Sequence, residues 1–113
     1  MRRLLVALIG AVALTTASTL PAAAADDYTQ AVTQTSASQA RIDFTPTTAS
    51  LYVDVHYTGV PGLGQQNVRM TNNAGTRQWT VNGLSTGTVL DYWFTYEKSG
   101  PQYDTPHYTY TQS

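Results

Sequence analysis

Ser50-Leu51-Tyr52-Val53-Asp54-Val55-His56-Tyr57-Thr58 alternates apolar and polar side chains without a break. Leu51, Val53, Val55 and Tyr57 fall on one face, and Tyr52, Asp54 and His56 on the other. Side chains of a strand alternate between faces, so this period predicts a half-buried β-strand. Thr88 to Lys98 repeats the pattern, with Leu90, Tyr92, Phe94 and Tyr96 inward and Asp91, Trp93, Thr95 and Glu97 outward. Working outward, Gln39 to Thr45 sets Ala40, Ile42 and Phe44 against Arg41, Asp43 and Thr45. Gln65 to Thr71 puts Val68 and Met70 inward and Asn67 and Arg69 outward. Tyr28 to Thr35, Arg77 to Asn82 and Pro106 to Gln112 complete the set. Turn signals separate these runs: Gly59 to Gly64, Asn72-Asn73-Ala74-Gly75, Gly83 to Gly87, and Ser99 to Thr105. About seven strands at spacings of roughly ten residues predict an all-β, two-sheet antiparallel β-sandwich, immunoglobulin- or fibronectin type III-like. A closed barrel is the alternative.

The chain starts differently. Arg2 and Arg3 precede an apolar run from Leu4 to Leu14, and Ala22 to Ala25 offers a small-residue cleavage site. That order is a secretory signal, expected to occupy residues 1–25 and to leave 26–113 as one secreted, extracellular module. The run falls short of the ~20 residues of a membrane span, so no membrane association is expected after cleavage. There is no cysteine, which excludes disulfides, thiol chemistry and cysteine-ligated zinc. After Ala25 the cations are Arg41, Arg69, Arg77 and Lys98, set against seven acids. A sparsely charged, weakly acidic chain lacks the basic footprint of nucleic-acid binding.

Catalytic chemistry finds little support. Asp54 and His56 share a strand face, and Asp91 could add a second carboxylate for glycan hydrolysis, but no nucleophile motif or metal-ligand cluster is present. No cofactor is expected. The aromatic content points elsewhere, with two tryptophans and eight tyrosines in the chain. Most fall on inward parity, where aromatics fill a core. Trp93 and Tyr52 fall on the outward parity. An outward indole suits the apolar face of a sugar ring, and Asn, Asp and Arg side chains can bond the hydroxyls. In a fibronectin type III-like order the third, fourth, sixth and seventh strands share a sheet, so their outward residues converge. The candidate site is Trp93, Tyr52, Asp54, His56, Asn67, Arg69 and Asp91, with His107 or Tyr108 from the last strand. Tyr103, in the Gln102-Tyr103-Asp104 loop, is a further candidate.

Several motifs are more specific. They are Val53-Asp54-Val55-His56-Tyr57, Gln65-Gln66-Asn67-Val68-Arg69-Met70, Val81-Asn82-Gly83-Leu84, Phe94-Thr95-Tyr96 and Gly100-Pro101-Gln102-Tyr103-Asp104-Thr105-Pro106. Together they resemble carbohydrate-binding module family 56, over roughly Ile42 to Thr111. The resemblance implies a β-sandwich that binds insoluble β-1,3-glucan, in a family found beside bacterial β-1,3-glucanases and as separate domains. The chain departs from the family pattern at Pro61 and Leu63, and at Arg77, where an aromatic often stands. The expected function is non-catalytic polysaccharide binding, with β-1,3-glucan as ligand and a fungal cell wall as its source. The alternative is a secreted structural or protein-interaction module using the same face.

Overall fold

The computed structural model describes residues 20–113; the charged start and apolar run of the expected signal lie outside the described residues. Nine strands follow a short 3-10 turn at Ala25–Asp27. They are β1 (Tyr28–Ser36), β2 (Gln39–Pro46), β3 (Val53–Thr58), β4 (Gln66–Arg69), β5 (Thr71–Asn73), β6 (Thr76–Val81), β7 (Val89–Glu97), β8 (Gln102–Asp104) and β9 (Tyr108–Thr111). One sheet has the order β1-β2-β6-β5. The other runs β4-β3-β7-β8, with β9 also paired to β7. Every pairing between these strands is antiparallel. The architecture is the expected sandwich.

Nine strands replace the expected seven for two local reasons. The run Gln65 to Thr71 changes sheets in its middle: β4 pairs with β3, while β5 pairs with β6. Met70 is the pivot, buried between the sheets with its amide bonded to the Val53 carbonyl at 2.9 Å. A strand that crosses between sheets closes a corner of a sandwich. The second addition is β8, which lies inside the expected 99–105 loop and pairs with Thr95–Glu97.

The core is built from the alternation. Ala40, Ile42 and Phe44 of β2 meet Val53, Val55 and Tyr57 of β3 and Leu90, Tyr92, Phe94 and Tyr96 of β7, all buried. Phe44 stacks on Tyr28 at 4.8 Å and leans on Phe94 at 4.8 Å, joining the sheets through aromatic contacts. The Tyr92 hydroxyl crosses the sandwich to donate to Gln30 Oε1 at 2.7 Å. Burial, as the leading cause, pushes that phenol up to about 12. Trp79 on β6 is half-buried, and its indole N–H donates to the Tyr57 hydroxyl at 3.1 Å.

Two parity assignments change. Leu51 precedes β3 rather than belonging to it and is 80% exposed. Glu97 is buried despite its outward parity, because both its oxygens accept backbone amides, from Leu51 and from Gly100, each at 2.7 Å. Those bonds hold its carboxyl below the usual range, with the Leu51 amide contributing most. Arg77 is buried on the inner side of β6, where it donates to the Ser50 carbonyl at 2.6 Å. Gly59 ends β3 with φ +116°, and a Cβ there would lie 2.1 Å from the Val89 carbonyl oxygen. Only glycine fits this close approach of the end of β3 to the start of β7.

Candidate functional site

The outward residues of the five-stranded sheet form rows across the strands. In the first row Arg69 of β4 pairs with Asp54 of β3, Asp54 with Thr95 of β7, and Thr95 with Asp104 of β8. In the second, Asn67 pairs with His56 and His56 with Trp93. In the third, Thr58 faces Asp91. Period-two alternation puts each set on the same side, since the intervening Val53, Val55, Tyr57, Tyr92, Phe94 and Tyr96 are buried. His107, just before β9, completes the second row beside Trp93.

The rows are cross-bonded. Asp54 holds the Arg69 guanidinium in an ion pair, which also raises the basicity of the arginine. The guanidinium carbon lies 4.4 Å from the centre of the Tyr52 ring, within cation–π range. Gln102 donates to the Tyr52 hydroxyl from the far side. The Thr95 hydroxyl donates its one proton to Asp104 Oδ1 at 2.5 Å, so it accepts from His56 Nε2 at 2.9 Å. His56 Nδ1 lies 2.7 Å from Asn67 Oδ1, which also accepts from Gln65 at 2.9 Å. Both ring nitrogens of His56 thus lie within 2.9 Å of a neighbouring polar side chain.

Trp93 stands in the middle of this lattice, and not as an open platform. The His107 ring stacks on the indole at 4.0 Å with 7° between planes. The His56 ring lies 5.3 Å away at 27°. Because β3 and β9 flank β7 on opposite sides, the two imidazoles approach the indole from opposite sides. His107 is held in turn by Asp91, Nδ1 to Oδ1, at 2.8 Å.

Seven of the eight expected site residues therefore share one face: Trp93, Tyr52, Asp54, His56, Asn67, Arg69 and Asp91. Tyr103 does not. It pairs with Tyr96, stacks on that ring at 5.5 Å and packs against the core. The strand β8, read as loop from sequence, gives Tyr103 inward parity and its neighbours Gln102 and Asp104 outward parity. Of the two residues offered by the last strand, His107 joins the face, while the Tyr108 hydroxyl bonds Tyr28 at 2.5 Å between the sheets' edges. Thr95, Asp104, Gln102 and Gln65 are additions. Thr95 carried a signal in its parity with Trp93; Gln102 and Asp104 lay in the loop named with Tyr103, but without β8 nothing placed them on this face in Tyr103's stead.

Asp54 and Asp91, the carboxylates considered for hydrolysis, do not come together as an acid pair. Asp54 faces Thr95, while Asp91 faces Thr58, four positions along the ladder. That offset is about 13 Å, beyond the ~5–9.5 Å that separates paired carboxylates in glycoside hydrolases. Asp54 and Asp91 are instead each paired with a basic side chain. The face offers closely spaced donors and acceptors, with its guanidinium ion-paired to Asp54, a surface suited to a neutral, hydroxyl-rich ligand. Among the described residues no group of three or more His, Cys, Asp or Glu side chains is placed to hold a metal.

Fold and face define a small β-sandwich module with one flat, polar, tryptophan-centred sheet. The sequence profile of carbohydrate-binding module family 56 matches residues 30–105. The chain belongs to that family. It is 43% identical to BhCBM56, solved as a Br derivative, with a TM-score of 0.71 over 80% of this chain and 98% of that one. A solved family 56 β-1,3-glucan binding domain is 37% identical, with a TM-score of 0.61 over 74% of this chain and 98% of that one. The family 64 laminaripentaose-producing β-1,3-glucanase from Paenibacillus barengoltzii, complexed with laminarihexaose, is 35% identical (TM-score 0.64) over 74% of this chain. The match covers 20% of that enzyme. At the level of fold alone, the fn3 domain of human collagen α1(XX) superimposes with a TM-score of 0.60 at 14% identity, over 88% of this chain and 91% of that domain.

Proposed function

We propose that this protein binds β-1,3-glucan, without cleaving it, through the outer face of the five-stranded sheet. The observation that carries the reading is the Trp93 row, in which an indole, two imidazoles and Asn67 lie across three strands and the segment before β9 of a family 56 module. An indole face takes the C–H side of a pyranose ring, and the surrounding amides, carboxylates and guanidinium bond its hydroxyls. The row runs across the strands of the sheet, which suits a polymer more than a small molecule. The offset of about 13 Å between Asp54 and Asp91 along the ladder supports binding over hydrolysis by that pair.

The signal-like start supports secretion, with cleavage near Ala25 and a glucan such as that of a fungal wall as the extracellular target. Cleavage there would release Pro21 and Ala23, whose backbones bond Asp104 of β8 at 3.1 and 2.9 Å. N-terminal sequencing of secreted protein should find a start between Ala22 and Asp27; Met1 on secreted material would refute the processing. Co-sedimentation with curdlan, cellulose, chitin and xylan in parallel tests the ligand. The protein should pellet with curdlan and stay in solution with cellulose and xylan. Equal pelleting with all four, or none with curdlan, would reject a β-1,3-glucan module.

A further inference from the structure

The ring packed on Trp93 occupies the surface a sugar needs. His107 lies parallel to the indole at 4.0 Å, the separation of a full stack, so one indole face is already covered. Resting on the glucan-binding reading above, we propose that His107 is a displaceable cap, and that a glucan residue takes its place on Trp93. The two imidazoles are held unequally, which decides which one yields. His56 projects from the middle of β3, where the Asn67 and Thr95 side chains enclose its two ring nitrogens at 2.7 and 2.9 Å. His107 comes from the segment between β8 and β9, outside any strand. Its side chain is 55% exposed and bonds only Asp91 at one nitrogen, and Asp91 is itself 49% exposed.

The backbone beneath His107 is anchored, so the side chain can turn without unfolding its segment. Two residues earlier, Thr105 is buried, with its hydroxyl accepting the Phe94 amide at 3.0 Å. One residue later, Tyr108 starts β9 and is tied to Tyr28. Rotation of His107 away from Trp93 bares the indole and frees the Asp91 carboxylate. Asp91 then stands beside the bared ring as an acceptor for a sugar hydroxyl. His107 thus lowers affinity by competing with the ligand, and it protects an otherwise exposed indole when no glucan is present.

The test is the affinity of wild type, His107→Ala and His107→Phe for soluble laminarin, measured with the melting temperature of each. Removing the imidazole should strengthen binding about three- to tenfold, the scale of one aromatic stack. His107→Phe keeps a flat ring over the indole and should stay within about twofold of wild type. If His107→Ala stays folded and binds as wild type or more weakly, His107 is a neutral neighbour or a ligand contact, and the cap is refuted. An equal gain in both variants would also refute it, since the stack would not be what competes. Wild type that binds no laminarin would overturn the glucan reading itself, and the cap with it.

Discussion

Asp27 shows what one side chain contributes away from the binding face. It ends the 3-10 turn before β1 and is buried, accepting from Lys98 at 2.7 Å and from the Tyr96 hydroxyl at 2.6 Å. The Lys98 bond, followed by the Tyr96 bond, holds its carboxyl below the usual range. A carboxyl depressed in the folded state stabilises the fold above its unfolded value. That contribution is lost as pH falls through the folded value. Stability should therefore drop below about pH 4, the ordinary Asp range. Asp27→Asn should lower stability at pH 7 by about 1–2 kcal/mol, discounted for the partial exposure of Lys98, and flatten the acid limb of the melting curve against pH. An unchanged acid limb would show that other carboxylates set it. On the binding face, His56→Ala should weaken glucan binding by about 1 kcal/mol, as loss of a single polar contact and its positioning, measured by titration with laminarin. Most residues of this face could be found from parity alone, because the buried Val53-Val55-Tyr57 and Tyr92-Phe94-Tyr96 sets fix which neighbours face out. Parity could not show that the Trp93 faces are flanked by imidazoles. That depends on where the His107 segment returns, a long-range placement with no local signal.

At the scale of elements, the tight turn between β5 and β6 is the clearest local compromise. Ala74 sits at φ +52° and Gly75 at φ +96°, both left-handed, with Asn72 Oδ1 accepting the Gly75 amide at 2.9 Å. Such a two-residue hairpin favours Asn-Gly, since a Cβ-bearing residue without a local side-chain bond is strained there. Ala74→Asn should raise stability by about 0.5–1 kcal/mol in chemical denaturation, with glucan binding unchanged. A loss of stability would mean the turn is held by contacts other than its own backbone. The same turn was legible in sequence, as Asn72-Asn73-Ala74-Gly75. The sheet change at Met70 was not. Alternation continues through Asn67, Arg69 and Thr71 on one parity, and nothing local reports that the hydrogen-bond partner changes from β3 to β6. Strand β8 was hidden for a similar reason: Gly100 and Pro101 mark a turn, and three residues are too few to show a period. Missing β8 is what misplaced Tyr103.

The whole molecule separates its tasks by sheet. The inner faces share one aromatic-rich core, stabilised without disulfides. The outer face of the five-stranded sheet carries the Trp93 row and the Arg69–Asp54 ion pair. The fold class and most of this face followed from alternation because a two-layer sandwich has only one way to bury such strands. The central claim is that Trp93 organises glucan binding while the core beneath it is independent. The most direct measurement is laminarin affinity of Trp93→Ala set beside its melting temperature. The variant should stay folded, with a melting temperature only slightly lowered by loss of the His56 and His107 contacts. Its affinity should fall by about 2 kcal/mol or more, some thirtyfold. A folded variant that binds laminarin as tightly as wild type would place the ligand elsewhere and contradict the account.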